Sequence, residues 1–245
     1  MKNAPGDAFT RGIQLCANFL FPFQCMACHA YTNNDMMLCD TCLSHVPIEH
    51  GLHCPVCDAR LPVLRKCHSS PIIAIGYAAS FNYALIRDLI HAYKYKSISE
   101  CAHTLGNIMI RHIDAMSSIC NISSWKKHAL LVPIPLHPIR MRLRGFNQAA
   151  LLANTIGARY HIPVYDLLTR VRNAPPHAKM KSREERIANA VDLFAIREKS
   201  VESFSQKIMI LIDDVATSGA TLQAAAETMQ RAGAKKILAL VVAKG

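Results

Sequence analysis

From Ile208 to Thr221 the chain reads Ile-Met-Ile-Leu-Ile-Asp-Asp-Val-Ala-Thr-Ser-Gly-Ala-Thr: an apolar run, two adjacent carboxylates, then a turn of small and hydroxyl residues. No other stretch restricts the fold as much. A continuous apolar run bounded by turn residues predicts a strand buried on both faces, over 207–212, and such strands belong to parallel sheets. Thr221 to Ala232 follows with helical spacing and is closed by Gly233, where a left-handed cap is wanted, and Lys236 to Ala243 is a second apolar strand. Strand, helix, strand in this order is the unit of an α/β fold with helices on both faces of the sheet.

The segment also carries chemistry. Open parallel sheets bind ligands beyond the carboxyl ends of their strands. Ala216, Thr217, Ser218, Gly219, Ala220 and Thr221 present backbone N–H groups and hydroxyls to a phosphate there, at the positive end of the following helix. Asp213 and Asp214 accept hydrogen bonds only, and suit ribose hydroxyls or the water shell of a magnesium ion. Two carboxylates would repel a bare phosphate, so a sugar phosphate with magnesium fits better.

Upstream the same texture recurs. Ile72 to Ala79 predicts a strand, Asn82 to Tyr95 and Ser99 to Met116 predict helices, Ala129 to Pro135 a strand, and Asn147 to Tyr160 a helix. The parallel-sheet domain is therefore expected over 71–245. Residues 1–70 differ: they hold eight of the ten cysteines, with little apolar periodicity, and predict loops and short ribbons held by a staple. An amphipathic helix is expected over Ile13 to Phe23. No apolar run approaches the roughly 20 residues of a membrane span, and no secretory signal is recognisable, so a soluble cytoplasmic protein without membrane insertion is expected.

Six of the cysteines form Cys-x-x-Cys pairs. Cys25, Cys28, Cys39 and Cys42 have the spacing of one closed tetrahedral thiolate site, which favours structural zinc. Cys54, Cys57 and Cys67 make three quarters of a second, with His68, His53 or His50 as the fourth ligand. Cys16, Cys101 and Cys120 stand alone and read as packing residues.

Charge is focused as well. Of the formal net charge of +11, the stretch from Ser124 to Arg186 holds twelve Lys/Arg against Asp166, Glu184 and Glu185. Such a block points to a polyanionic partner, nucleic acid foremost. Within it, a basic loop is expected in which Arg140, Arg142 and Arg144 alternate ahead of Gly145-Phe146-Asn147-Gln148, and their forked guanidinium groups suit pyrophosphate or nucleic-acid phosphate, as does Lys94 as a point charge. Tyr93, Tyr95 and Phe146 lie among these basic residues as candidate stacking surfaces for bases.

The strand, paired acids and Thr/Gly-rich turn resemble the phosphoribosyl pyrophosphate (PRPP) loop of type I phosphoribosyltransferases. The three arginines, the Gly-Phe-Asn-Gln that follows, Ala92-Tyr93-Lys94-Tyr95, Arg186-x-x-Asn189 and the cysteines ahead of them resemble the ComF competence family over nearly the whole chain. The chain departs from that family at His177, where Gln is usual, and at the last zinc hairpin, which lacks its final cysteine. The resemblance implies a double zinc ribbon ahead of a type I phosphoribosyltransferase-like sheet, with structural zinc and with magnesium alongside PRPP. It also implies a role in natural transformation, binding single-stranded DNA and working with DNA-uptake helicases or processing proteins. Two alternatives stand beside it: an active phosphoribosyltransferase acting on a nucleobase or amine, and a regulator that senses PRPP or a nucleotide. The residues identify no base pocket and no catalytic nucleophile.

Overall fold

The computed structural model describes residues 23–32, 36–95, 98–172, 193–197 and 206–245. The helix expected from Ile13 lies outside them except for Phe23, as do Cys16, His177 and the Arg186-x-x-Asn189 pattern. The chain divides into two compact units, Met1–Val46 and Pro47–Gly245.

The first unit is organised around a tight turn. The N–H of Cys25 donates to the carbonyl of Ala30 at 2.8 Å and that of His29 to Cys25 at 2.9 Å. His29 takes a left-handed conformation, φ +60°, and Gln24 bridges Tyr31 antiparallel. Helix α1, Asp40–Ser44, follows, with Cys39 as its N-cap.

The same turn recurs 29 residues further on, in the second unit. Cys54 donates to Ala59 at 2.9 Å, Asp58 donates to Cys54 at 2.9 Å, and Asp58 has φ +61°. The sequence reading finds no internal repeat, because the two turns share only their cysteines and the alanines at 30 and 59. The repeat is one of backbone: a residue after Cys-x-x-Cys that turns left-handed so that N–H groups converge on the first sulfur.

The flanks of this second turn are β1, Leu52–His53, and β2, Arg60–Leu61. The longer elements are β3 (Ile72–Ser80), α2 (Ala84–Tyr95), α3 (Cys101–Ala115), α4 (Trp125–His128), β4 (Ala129–Pro133), α5 (Pro138–Arg144), α6 (Gln148–Tyr160), β5 (Leu168–Arg170), β6 (Phe194–Ile196), β7 (Ile208–Ala216), α7 (Ala220–Arg231) and β8 (Lys236–Lys244). The main sheet has the order β2-β1-β3-β8-β7-β4. Strands β3, β8, β7 and β4 are parallel, while β1 joins β3 antiparallel through His53 and Ile75. β5 and β6 form a separate antiparallel pair.

The apolar runs explain the centre of the sheet. Met209, Ile210, Leu211 and Ile212 are wholly buried in β7, and Ile237 to Ala243 are equally enclosed in β8. Each Met, Ile, Leu or Val among them contributes about 1.5–3 kcal/mol on leaving water. Alternate positions face opposite ways: Met209, Leu211, Ile237, Ala239 and Val241 share a core with Leu222, Ala225, Ala226 and Met229 of α7. Helices α3 and α6 pack on β3, β4, β7 and β8. One approach is close enough to exclude any side chain: a Cβ on Gly76 of β3 would meet His112 Nε2 of α3 at 2.6 Å and Leu240 Cδ2 at 2.7 Å.

Two expectations change. Strand β7 does not stop at Ile212 but pairs with β8 as far as Ala216, so both acids are strand residues. The arginine-rich segment is not a loop: Pro138 opens α5 at its first turn, the His137 ring caps the N–H of Ile139, and Gly145 ends the helix at φ +80°.

Candidate ligand and metal sites

Because side chains alternate along a strand, Asp213 and Asp214 point to different surroundings although they are neighbours. Asp214 is buried and pairs with Lys94 Nζ of α2 at 2.8 Å. Asp213 is half-buried and accepts the N–H of Asp214 at 2.9 Å. Burial, with the charge of Asp214 next, pushes the Asp213 carboxyl up to about 7, and Lys94 opposes this. A carboxylate held so close to neutrality binds a ligand hydroxyl or cation with little desolvation left to overcome.

Both acids line an open cleft of about 120 Å³ at the carboxyl end of β7 and β4. Its other charged walls are Lys94, Arg140 and Arg144 on α5, and Arg170 at the end of β5. Four cations thus face two carboxylates. Arg140 and Arg144 lie one helical turn apart and share a face, and Arg144 is steadied by Gln148 Oε1 at 3.2 Å. Arg170 is buried, packs on the Phe194 ring at 5.7 Å, and keeps its Nε without a hydrogen-bond partner. Burial, then the charge of Arg140, lowers its pKa, and Asp213 acts against both.

Of the residues singled out from sequence, Asp213, Asp214, Thr221, Lys94, Arg140 and Arg144 come together in this cleft, while Arg142 is exposed and does not line it. Ala216, Thr217, Ser218, Gly219 and Ala220 form the turn beside it. Gly219 is the N-cap of α7 with φ +71°; a Cβ there meets nothing within 4 Å, so backbone conformation and not space calls for glycine. Arg170, Asn147 and Gln148 complete the walls as cleft-lining groups that the sequence reading did not assign.

The three aromatic candidates separate. Tyr93 is fully buried and donates its hydroxyl to the carbonyl of Gln148 at 2.8 Å, with Phe146 packed on it at 5.5 Å. Both belong to the packing behind the cleft. Tyr95 is 70% exposed, with the Arg144 guanidinium 6.0 Å from its ring centroid and the His91 ring at 5.2 Å.

Each unit gathers one set of metal-ligand side chains: Cys25, Cys28, Cys39 and Cys42 in the first, and Cys54, Cys57, Cys67 and His68 in the second, the ligand atoms of each set lying within 4.8 Å of one another. His68 is therefore the fourth member of the second set, in preference to His50 or His53. Cys28 and Cys39 sulfurs are 3.7 Å apart and those of Cys57 and Cys67 3.8 Å. A tetrahedron with zinc–sulfur arms of about 2.3 Å has edges of about 3.8 Å, far beyond a disulfide bond of about 2 Å. Burial pushes the Cys25 and Cys54 thiols up, but backbone N–H groups aimed at each sulfur outweigh it and bring both down to about 6. The donor sets and spacings fit zinc. Cys101 and Cys120 are buried, and burial raises the thiol pKa of each, which makes them poor nucleophiles.

Among the described residues, no helix is long and apolar enough to cross a membrane. The pattern of the phosphoribosyl transferase domain matches residues 144–245, which include the cleft turn. The competence protein ComFC of Bacillus subtilis is 30% identical over 207 residues, 81% of this chain and 80% of that protein. ComFC of Streptococcus pneumoniae is 28% identical, over 84% of this chain and 86% of its own length. The DNA utilization protein YhgH of Escherichia coli is 26% identical, over 87% and 86%.

Proposed function

The chain belongs to the ComF family of competence proteins, and from that premise we propose that it handles incoming single-stranded DNA while holding PRPP with magnesium in the cleft. The observation that carries this reading is the placement of two carboxylates on the floor and four cations on the walls of one cleft at the carboxyl edge of a parallel sheet. A ribose phosphate needs both signs. Asp213 and Asp214 take the ribose hydroxyls, the turn from Ala216 to Thr221 takes the 5′-phosphate, and Lys94, Arg140, Arg144 and Arg170 take the pyrophosphate. Magnesium, when bound, neutralises the pyrophosphate facing the two acids.

The DNA strand crosses the mouth of the same cleft. Tyr95 offers an exposed ring on which a base stacks, Arg144 stands beside it, and Arg142 on the outer face of α5 meets the backbone. Arg144 then serves both ligands, so the two are coupled. In functional terms, residues 1–70 carry two zinc sites, one in each compact unit, and residues 71–245 hold the ligands. Thiolate sites of this kind persist in a reducing compartment, which suits the cytoplasm.

The test is calorimetric titration of zinc-loaded protein with PRPP and magnesium, beside Asp213→Ala/Asp214→Ala, repeated with short single-stranded DNA present. Saturable binding that is lost in the variant and altered by DNA supports the reading. No heat in the parent protein removes the PRPP pocket, and equal heats with and without DNA remove the shared arginine. Release of pyrophosphate during the titration would turn the reading toward phosphoribosyl transfer.

A further inference from the structure

Strands β4, β7 and β8 run parallel, so their starts share the edge of the sheet opposite the cleft. Ala129, Ile208 and Lys236 stand in register there, across about 10 Å at the usual spacing between strands. Three segments far apart in sequence bring cations to this edge. Helix α4 is pinned by Trp125, which is 2% exposed, and leaves Lys126 and Lys127 in solvent just ahead of β4. Lys207 immediately precedes β7, and its Nζ donates to the carbonyl of Lys127 at 2.6 Å, across 80 residues of chain. After α7, Gly233 turns at φ +102°, Ala234 is buried, and Lys235 and Lys236 emerge exposed at the start of β8.

Five lysines thus lie along one row. The segments 125–128, 206–207 and 231–236 that form it add Arg231 and contain no acid. Among the described residues, Lys126, Lys127, Lys235 and Lys236 make no ion pair and no side-chain hydrogen bond. Lysines set side by side without carboxylates repel one another, and a polyanion relieves that repulsion while releasing its own counterions. The row also stands apart from the cleft. From Ile208 to Ala216, β7 covers about 26 Å at about 3.3 Å per residue, so a ribose phosphate at the turn does not reach these lysines.

The kind of polyanion follows from what the row lacks. Sites for single strands set exposed rings among their cations, as Tyr95 stands beside Arg144. Here the one Trp, Tyr or Phe in the three segments is Trp125, and it is buried. Bare cations read phosphate alone, and duplex DNA, with one charge per about 1.7 Å of its axis, presents twice the density of either strand. We infer that the amino edge of the sheet is a binding surface for the backbone of duplex DNA. The surface does not rest on the reading of the cleft; with that reading, the chain holds duplex at one edge and single strand at the other.

Zinc-loaded full-length protein is titrated by fluorescence anisotropy with a short blunt duplex and with one of its strands alone, each over a range of salt. Lys126→Gln/Lys127→Gln/Lys235→Gln/Lys236→Gln lowers duplex affinity tenfold or more at low salt and flattens the salt slope by about 3, at about 0.9 for each lysine that meets a phosphate. Lys126→Gln/Lys127→Gln alone has about half that effect on the slope. Affinities for the single strand and for PRPP stay within twofold. The four positions are exposed, so the fold, checked by circular dichroism, survives, and the same positions changed to Arg keep the slope of the parent. If the parent binds no duplex, if the slope is unchanged in the Gln variants, or if Arg does not sustain it, the inference fails. An equal loss on duplex and single strand makes the row a general phosphate surface and overturns its assignment to duplex. Duplex binding without single-strand binding would overturn the strand track at the cleft mouth and leave this inference standing.

Discussion

Replacing Asp213 by Asn should make the protein more stable and less able to bind its ligand. In the folded chain the carboxyl is raised from 3.8 to about 7 by burial and by Asp214. A group whose folded pKa lies above its unfolded value favours the fold while protonated, and that contribution is lost as pH rises from the unfolded value through the folded one. At about 1.4 kcal/mol per pH unit, the cost of the ionised form approaches about 4 kcal/mol. The relief through Lys94 is already contained in that shift, and solvent screening at the half-buried carboxyl lowers the remainder, so about 2 kcal/mol is expected at pH 8. Asn keeps the acceptor for the Asp214 N–H and carries no charge, so it escapes this cost. The gain should vanish near pH 4, grow up to pH 7 and stay level beyond. Urea unfolding at pH 4, 5, 6, 7 and 8 measures it, as a midpoint raised by on the order of 1 M at pH 8. A variant no more stable than the parent at pH 8, or more stable by the same amount at every pH, would show that the carboxylate pair is not strained.

Tyr95→Ala should weaken single-stranded DNA binding by about 1–3 kcal/mol, in fluorescence anisotropy, without altering PRPP titrations; an unchanged affinity would place the bases elsewhere. Arg142→Ala should lower the salt slope of DNA binding by about 0.7 and leave PRPP untouched, whereas a change in PRPP affinity would put that side chain in the cleft. Metal analysis should find two zinc ions per chain and one in His68→Ala; two in the variant would return the fourth ligand to another residue. Gly76→Ala should cost about 1–3 kcal/mol in denaturant, since a methyl there presses on His112 and Leu240. A neutral result would mean that α3 is free to move away.

The long parallel strands were legible in the sequence because burial on both faces leaves an uninterrupted apolar run, as from Ile208 to Ile212. β1, β2, β5 and β6 were not, since two or three residues carry no period. Arg170 was missed for that reason: it closes the three-residue strand β5, and only its place two residues past the apolar Leu167-Leu168 pair hinted at it. Helix α5 left a signal that alternating arginines obscured, a Pro at its first turn and a Gly just past its end. Tyr93 and Tyr95 were separable in principle, because Ile86, Leu89, Ile90 and Tyr93 follow the buried stripe of α2 and Tyr95 falls off it. His68 had no local mark setting it apart from His50 and His53; only folding brings it to the three sulfurs.

The two-residue ribbon of β1 and β2 also bears on solubility. β3 would otherwise end the parallel sheet with a row of open N–H and carbonyl groups along a hydrophobic strand, a template for another chain to pair with. At the opposite margin, β4 is shielded by its proline and by the segment at 163–165, which bonds to Leu131 on both sides. β1 provides the shield for β3, and it is too short to hold itself there. What holds it is the turn that follows, gathered by Cys54 and Cys57. A chain starved of metal at that turn would lose its guard strand before it lost its core, and would precipitate with its sheet still formed.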